Sequence, residues 1–163
     1  LIGCESGLRF SDYSRIQPHD IMRDELHIVP KKTKKSGVKK VIIPLSDRFK
    51  RILDKYNGVL PNYERSQLTR FNKTIREICE KVGMKDEIKF YREIAGKTVK
   101  VTKLKYEEVS SHTCRRTFCT LKFLKGMPAQ AIMKFSGHTS ERNFLKYLKL
   151  DAELTAKKYK DFF

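Results

Sequence analysis

Residues 110–118 read SSHTCRRTF, a capped start of a helix that carries a histidine and two arginines. Ser110 and Ser111 are helix-capping residues. Cys114, Phe118, Leu121 and Leu124 then recur at helical spacing until Lys125-Gly126 closes the run, which predicts a helix to Leu124. His112 and Arg115 are three apart and share a face of its first turn. Unpaired backbone N–H groups and the positive end of the helix dipole point out there, which makes a seat for a phosphate. Arg115 adds a planar fork that can grip two phosphate oxygens. H-x-x-R alone is short, and a capping histidine beside a solvated arginine is the plainer account of it. Arg116 follows, and a slip of one residue would exchange the two arginines; the spacing from His112 favours Arg115.

Working outward, SGHTSERNFLKY at 136–147 ends one helix at Ser136-Gly137 and starts another at Thr139 or Ser140, with Glu141 well placed in its first turn. Tyr147 lies nine residues after His138, so a short capped helix separates them. Upstream, SGLRFSD at 6–12 puts Arg9 just after a glycine turn, and Asp12 three residues on could orient it. Lys32 lies in a basic loop, residues 30–37, between two β-rich runs at Leu26–Val29 and Val38–Ile43. Taken singly, each residue has an ordinary explanation: a loop histidine, a core or surface tyrosine, a surface arginine, a lysine touching a backbone.

The remaining elements follow the same signals. Ser46 and Asp47 open a helix carrying Phe49, Ile52, Leu53 and Tyr56, which Asn57-Gly58 stops. A second helix fits 64–82, with Leu68, Phe71, Ile75, Ile78, Cys79 and Val82 as one stripe. Residues 88–91 and 99–106 form a second hairpin around Ala95-Gly96-Lys97. Pro128 stands near the start of a short helix, and a last helix spans about 151–160. The expected class is α+β, mostly α-helical, with small β-hairpins.

At 163 residues the chain reads as one domain, long enough to bury roughly two thirds of its unfolded surface. Lys and Arg number 36 against 19 Asp and Glu, a net charge of +17. A charge that large repels itself unless it faces a polyanion, and double-stranded DNA is the expected partner. No apolar run nears the ~18 residues a membrane span needs, and no amphipathic anchor stands out, so no membrane partner is expected. Cys4, Cys79, Cys114 and Cys119 form no C-x-x-C pair, which points to reduced thiols in a cytoplasmic protein rather than a metal knuckle. The chain begins at Leu1 and enters a motif almost at once, so it reads as a fragment.

In combination, GLRFSD, Lys32-Thr33 followed by a strand ending in Ile43-Pro44-Leu45, HTCRRTF, Gly137-His138 and Tyr147 resemble the tyrosine recombinase (phage integrase) family, in its order and near its spacings. The resemblance covers nearly the whole chain. The wording of 110–118 and 137–147 is similar to integrases of Bacteroides-type conjugative and mobilisable transposons. It implies the catalytic-domain fold of DNA breaking-rejoining enzymes over 1–163, normally preceded by core-binding and arm-binding domains. It implies strand cleavage and rejoining through a 3′-phosphotyrosyl bond, type IB topoisomerase-like chemistry that needs no metal, cofactor or ATP.

The same resemblance distributes the roles. Arg9 and Arg115 clamp the scissile phosphate, Tyr147 is the nucleophile, and His112 accepts its proton. Lys32, or a neighbour among Lys31, Lys34 and Lys35, protonates the departing 5′ oxygen. His138 hydrogen-bonds the phosphate or positions its neighbours. It further implies a tetramer on two DNA duplexes when active, with the isolated domain monomeric and residues 151–163, including Phe162 and Phe163, docking on a neighbouring protomer; closing the domain's own core is the alternative for that segment. Two rival functions remain: a non-catalytic DNA-binding regulator or degenerate integrase, which the charge alone would support, and an RNA-binding protein.

Overall fold

The computed structural model describes residues 1–31, 40–145, 147–148 and 152–160. It divides into two compact units, residues 1–65 with 112–163 and, between them in the chain, Ser66–Ser111.

In the larger unit, α1 (Ile2–Ser6) ends at Gly7, whose φ of 66° lies in the left-handed region that glycine tolerates best. Two residues on, α2 (Phe10–Tyr13) begins. A three-stranded antiparallel sheet follows in the order β1 (Ile21–Met22), β2 (Glu25–Ile28), β3 (Val41–Pro44). Leu26 pairs with Ile43 and Ile28 with Val41, and all four are buried on one face. The expected hairpin is therefore present, with an additional strand. Arg23 and Asp24, both at positive φ, make the tight turn that joins β1 to β2. Val38 and most of the basic loop, Lys32 included, lie outside the described residues.

Helix α3 (Asp47–Lys55) starts where Ser46 predicts: its Oγ accepts the Phe49 N–H at 3.2 Å and donates to Glu5 at 2.7 Å. Only Phe49 of its apolar stripe is buried, and Tyr56 is exposed.

Helices α5 (Ser111–Leu124), α6 (Ala129–Ser136) and α7 (Glu141–Leu145) enclose a core of Phe118, Cys119, Ile132, Phe144 and Leu148. Each fully buried large side chain of this kind contributes about 1.5–3 kcal/mol. The inward stripe of α5 differs from the expected one. Arg115, Phe118 and Cys119 point in, whereas Leu121 is 52% exposed. A charged side chain occupies one position of the buried stripe, which hides its helical period. Gly137 ends α6 at φ 67° and ψ 39°, and Ser140 caps α7 by accepting the Asn143 N–H at 3.4 Å. Helix α8 (Ala152–Tyr159) docks on this same unit: Lys158 Nζ donates to the Phe123 and Leu124 carbonyls at 2.7 and 3.3 Å, capping the end of α5. Phe162 and Phe163 lie outside the described residues.

In the smaller unit, α4 (Leu68–Lys81) precedes a hairpin of β4 (Glu87–Ile94) and β5 (Lys97–Leu104). Ala95 and Gly96, at φ 50° and 74°, form its two-residue turn, so the strands run closer to the turn than the sequence suggests. Arg76 Nε donates to Val109 O at 3.1 Å, and the Ser111 N–H donates to Asn72 Oδ1 at 2.8 Å. The apolar stripe of α4 is half-buried at Leu68, Phe71, Ile75 and Cys79 and exposed at Ile78 and Val82, rather than a core face.

Candidate active site

Arg115 is the largest fully buried side chain among the described residues, 1% exposed. Its position follows from two glycine turns. Nη1 donates to the Gly7 carbonyl at 2.8 Å and to the Ser136 carbonyl, the residues at the ends of α1 and α6. Nη2 meets His138 Nε2 at 2.9 Å. Gly7 serves twice here, because a Cβ at that position would stand 2.3 Å from Phe118 Cδ1. The Arg115 Nε–H is buried and has no hydrogen-bond partner among the described residues. Burial, and then the charge of Arg9, bring the Arg115 pKa down to about 10, so it remains a cation at neutral pH.

His138 is held in one tautomer by its neighbours. Ser136 Oγ donates its single proton to Ile132 O at 2.6 Å. It therefore accepts from His138 Nδ1–H, 2.7 Å away. Nε2 is left as a lone pair, and it receives the Arg115 N–H. Burial, followed by the charges of Arg115 and Arg9, lowers the His138 pKa to about 3. The imidazole is neutral throughout the working range of pH, and both nitrogens are engaged.

Tyr147 stands two residues after α7, and its N–H donates to Phe144 O at 2.7 Å. Phe144 is fully buried and sets its ring edge against His138 at 5.3 Å. This anchorage brings the half-buried Tyr147 ring to 4.7 Å from the His138 ring, at 64°. The guanidinium carbons of Arg115 and Arg116 lie 5.5 and 5.8 Å from the Tyr147 centroid.

Arg9 is the residue before α2, in extended backbone. Its charge lowers the pKa of both Arg115 and His138, and its buried Nη1 has no hydrogen-bond partner among the described residues. Asp12 does not pair with Arg9 as the spacing suggested. Its Oδ1 lies 3.5 Å from Arg15 Nη2 and accepts the Lys31 N–H at 2.8 Å, while Oδ2 has no hydrogen-bond partner among the described residues. Arg15 Nη2 also donates to Val29 O at 2.6 Å. Together Asp12 and Arg15 fasten the start of the basic loop to α2. Lys32, the next residue, lies outside the described residues. His112 is exposed in the first turn of α5, one turn before Arg115.

Sequence reasoning missed Ser136, although a hydroxyl two residues before a histidine, across a glycine, was a visible signal. It also missed a thiol pair behind the arginines. The pair is Cys4 and Cys114, on which Gly3 packs so closely that a Cβ there would meet Cys114 Cβ at 3.0 Å. The Cys4 thiol hydrogen bond brings the Cys114 pKa down to about 7, and the Cys4 thiol itself is pushed up. Among the described residues no three His, Cys, Asp or Glu side chains gather as a metal site would require, and no helix is long and apolar enough to cross a membrane.

The model of the phage integrase family matches residues 1–153. Among solved structures, XerA recombinase is similar with a TM-score of 0.69 at 16% identity, over 99% of this chain and 56% of that one. The Tn1549 transposon integrase in complex with a circular intermediate DNA is similar with a TM-score of 0.59 at 13% identity, over 99% of this chain and 56% of that one. Its complex with transposon right end DNA gives 0.58 at 12%, over 99% and 56%. This chain thus spans about half the length of those proteins. No curated protein matches.

Proposed function

The chain belongs to the phage integrase family, and from that premise we propose that it is the catalytic part of a site-specific recombinase that cuts and rejoins DNA through Tyr147. The observation that carries this reading is the pair of buried guanidinium N–H donors, Arg9 Nη1 and Arg115 Nε, without hydrogen-bond partners among the described residues, the Arg115 guanidinium lying 5.5 Å from the Tyr147 ring centroid. Leaving a buried donor unmade costs about 1–3 kcal/mol, more for a charged group, so such donors call for a function. Two like charges facing one site favour an anion between them. A phosphodiester supplies both a charge and non-bridging oxygens.

The chemistry is the one the family resemblance implies. The Tyr147 phenol oxygen attacks phosphorus, and the bond to the 5′ oxygen breaks. The phosphorane gains negative charge as it forms, and Arg9 and Arg115 hold it more tightly than the ground state. The phenolic proton passes to His112, which is exposed at the start of α5. His138 takes no proton in this scheme, because its lone pair is bound to Arg115 and its pKa is near 3. Its task is to orient Arg115. Lys32 protonates the 5′ oxygen, and the stitching of Lys31 to Asp12 gives its loop a fixed root. Rejoining is the same step reversed by another strand's 5′ hydroxyl. The net charge of +17 supplies affinity for duplex DNA that falls with salt, and the active assembly is a tetramer on two duplexes.

The test is a pool of nicked duplexes of randomised sequence, in which cleavage releases a short fragment and blocks rejoining. The expected result is an SDS-resistant protein–DNA adduct that disappears in Tyr147→Phe. Binding without adduct would favour a DNA-binding regulator, and an adduct that survives Tyr147→Phe would move the nucleophile elsewhere.

A further inference from the structure

We propose that Arg116 is a positioning residue for Tyr147, holding the phenol ring at the phosphate site through its guanidinium. The proposal rests on the reading of Tyr147 as nucleophile.

Tyr147 follows a helix of only five residues, and its backbone N–H donates to Phe144 O. That bond fixes the Cα but not the ring, whose place depends on its side-chain torsions and on the groups it touches. Those groups are His138, Arg115 and Arg116. The first two are committed elsewhere. Arg115 is tied to Gly7, Ser136 and His138, and its buried Nε–H is the donor assigned to phosphate. His138 is tied to Ser136 and Arg115. Arg116 is exposed on the next position of α5, and the Tyr147 ring is the contact its guanidinium makes among the described residues.

Consecutive helical residues are about 100° apart, so the ring meets one buried and one solvent-side cation from the same turn. A guanidinium within ~6 Å of a ring is attracted by its quadrupole. As the phenol loses its proton in the attack, that attraction gains an ion–ion component. The contact therefore strengthens toward the transition state, which is the condition for it to raise the rate. A planar guanidinium can also lie along the ring, which an ammonium cannot do.

The test compares the full chain with Arg116→Ala and Arg116→Lys, using tyrosine labelled with 13C on its ring. The Tyr147 resonance is identified by its loss in Tyr147→Phe. In Arg116→Ala that resonance shifts and broadens, and single-turnover adduct formation at saturating DNA slows roughly two- to fivefold. The salt slope of DNA binding stays unchanged, and Arg116→Lys recovers part of the rate. An unmoved resonance overturns the proposal whatever happens to the rate. So does a salt slope reduced by about one with a rate deficit that vanishes at saturating DNA, since Arg116 would then be a backbone contact. If the wild-type chain forms no adduct, the nucleophile reading fails by itself, and the resonance still decides whether Arg116 holds the ring.

Discussion

Replacing Ser136 by alanine removes one oxygen and breaks two hydrogen bonds that set the state of the site. Ser136 is 1% exposed, and its Oγ receives the His138 Nδ1–H at 2.7 Å while donating to Ile132 O at 2.6 Å. In Ser136→Ala the His138 N–H is left unmade in a largely dry place, at a cost of about 1–3 kcal/mol. Alanine is the better helix former and returns about 0.5 kcal/mol. The net loss is about 2 kcal/mol, or roughly 4–8 °C in Tm for a chain of this size. The larger effect is on the tautomer. Without its acceptor at Nδ1, the imidazole can carry its proton on Nε2, which faces Arg115 Nη2 at 2.9 Å. Two donors would then oppose each other, and Arg115 would lose one of the bonds that aim it. A small misplacement of a phosphate clamp is worth up to about 100-fold in rate, so a drop of roughly 10- to 100-fold is expected. Long-range 1H–15N spectra of the imidazole read the tautomer, thermal melts read the stability, and adduct formation reads the rate. Protonation still at Nδ1, an unchanged Tm and a rate within twofold of wild type would refute the reasoning.

Gly7→Ala combines a left-handed φ of 66° with a Cβ 2.3 Å from Phe118. Strain of about 1–2 kcal/mol and overpacking of about 1–3 kcal/mol predict a loss of roughly 3 kcal/mol in denaturant melts, and a change below 1 kcal/mol would contradict the turn's geometry. The His138 pKa is depressed from 6.5 to about 3. The unfolded chain therefore binds the extra proton between those values, and stability falls as pH drops from 6.5 toward 3, then levels off. For a half-buried group this amounts to about 1 kcal/mol by pH 5, and the acid slope should be shallower in His138→Gln. Cys114, lowered to about 7, should alkylate with a midpoint near pH 7 and ahead of Cys4, as peptide mass mapping would show; preferential labelling of Cys4 would reverse the assignment.

Local signals made much of the fold readable. The αL glycines at Gly7 and Gly137, the Ser46 and Ser140 caps and the Ala95-Gly96 turn each act within a few residues, and each lies where the sequence puts it. Strand β1 was not readable, because two residues show no period. The face of α5 was misread, because the buried position taken by Arg115 looks polar. Asp12 stands three residues from both Arg9 and Arg15, so spacing alone could not choose between them; the choice depends on Val29 and Lys31, which the sheet brings alongside. For His138 the sequence allowed either phosphate contact or a positioning role. The bond from Arg115 and the one to Ser136 favour positioning; the second is local, but the first joins residues 23 apart and was not legible from spacing.

The central claim is that Arg9 and Arg115 grip one anion beside Tyr147. Its most direct test is a crystal structure grown at low ionic strength with tungstate, a heavy tetrahedral oxyanion of phosphate shape. The account predicts one strong anion bound by both Arg9 Nη1 and Arg115 Nε, at the Tyr147 ring. An anion bound elsewhere with that place unoccupied, or one held by Arg115 while Arg9 turns away, would contradict it.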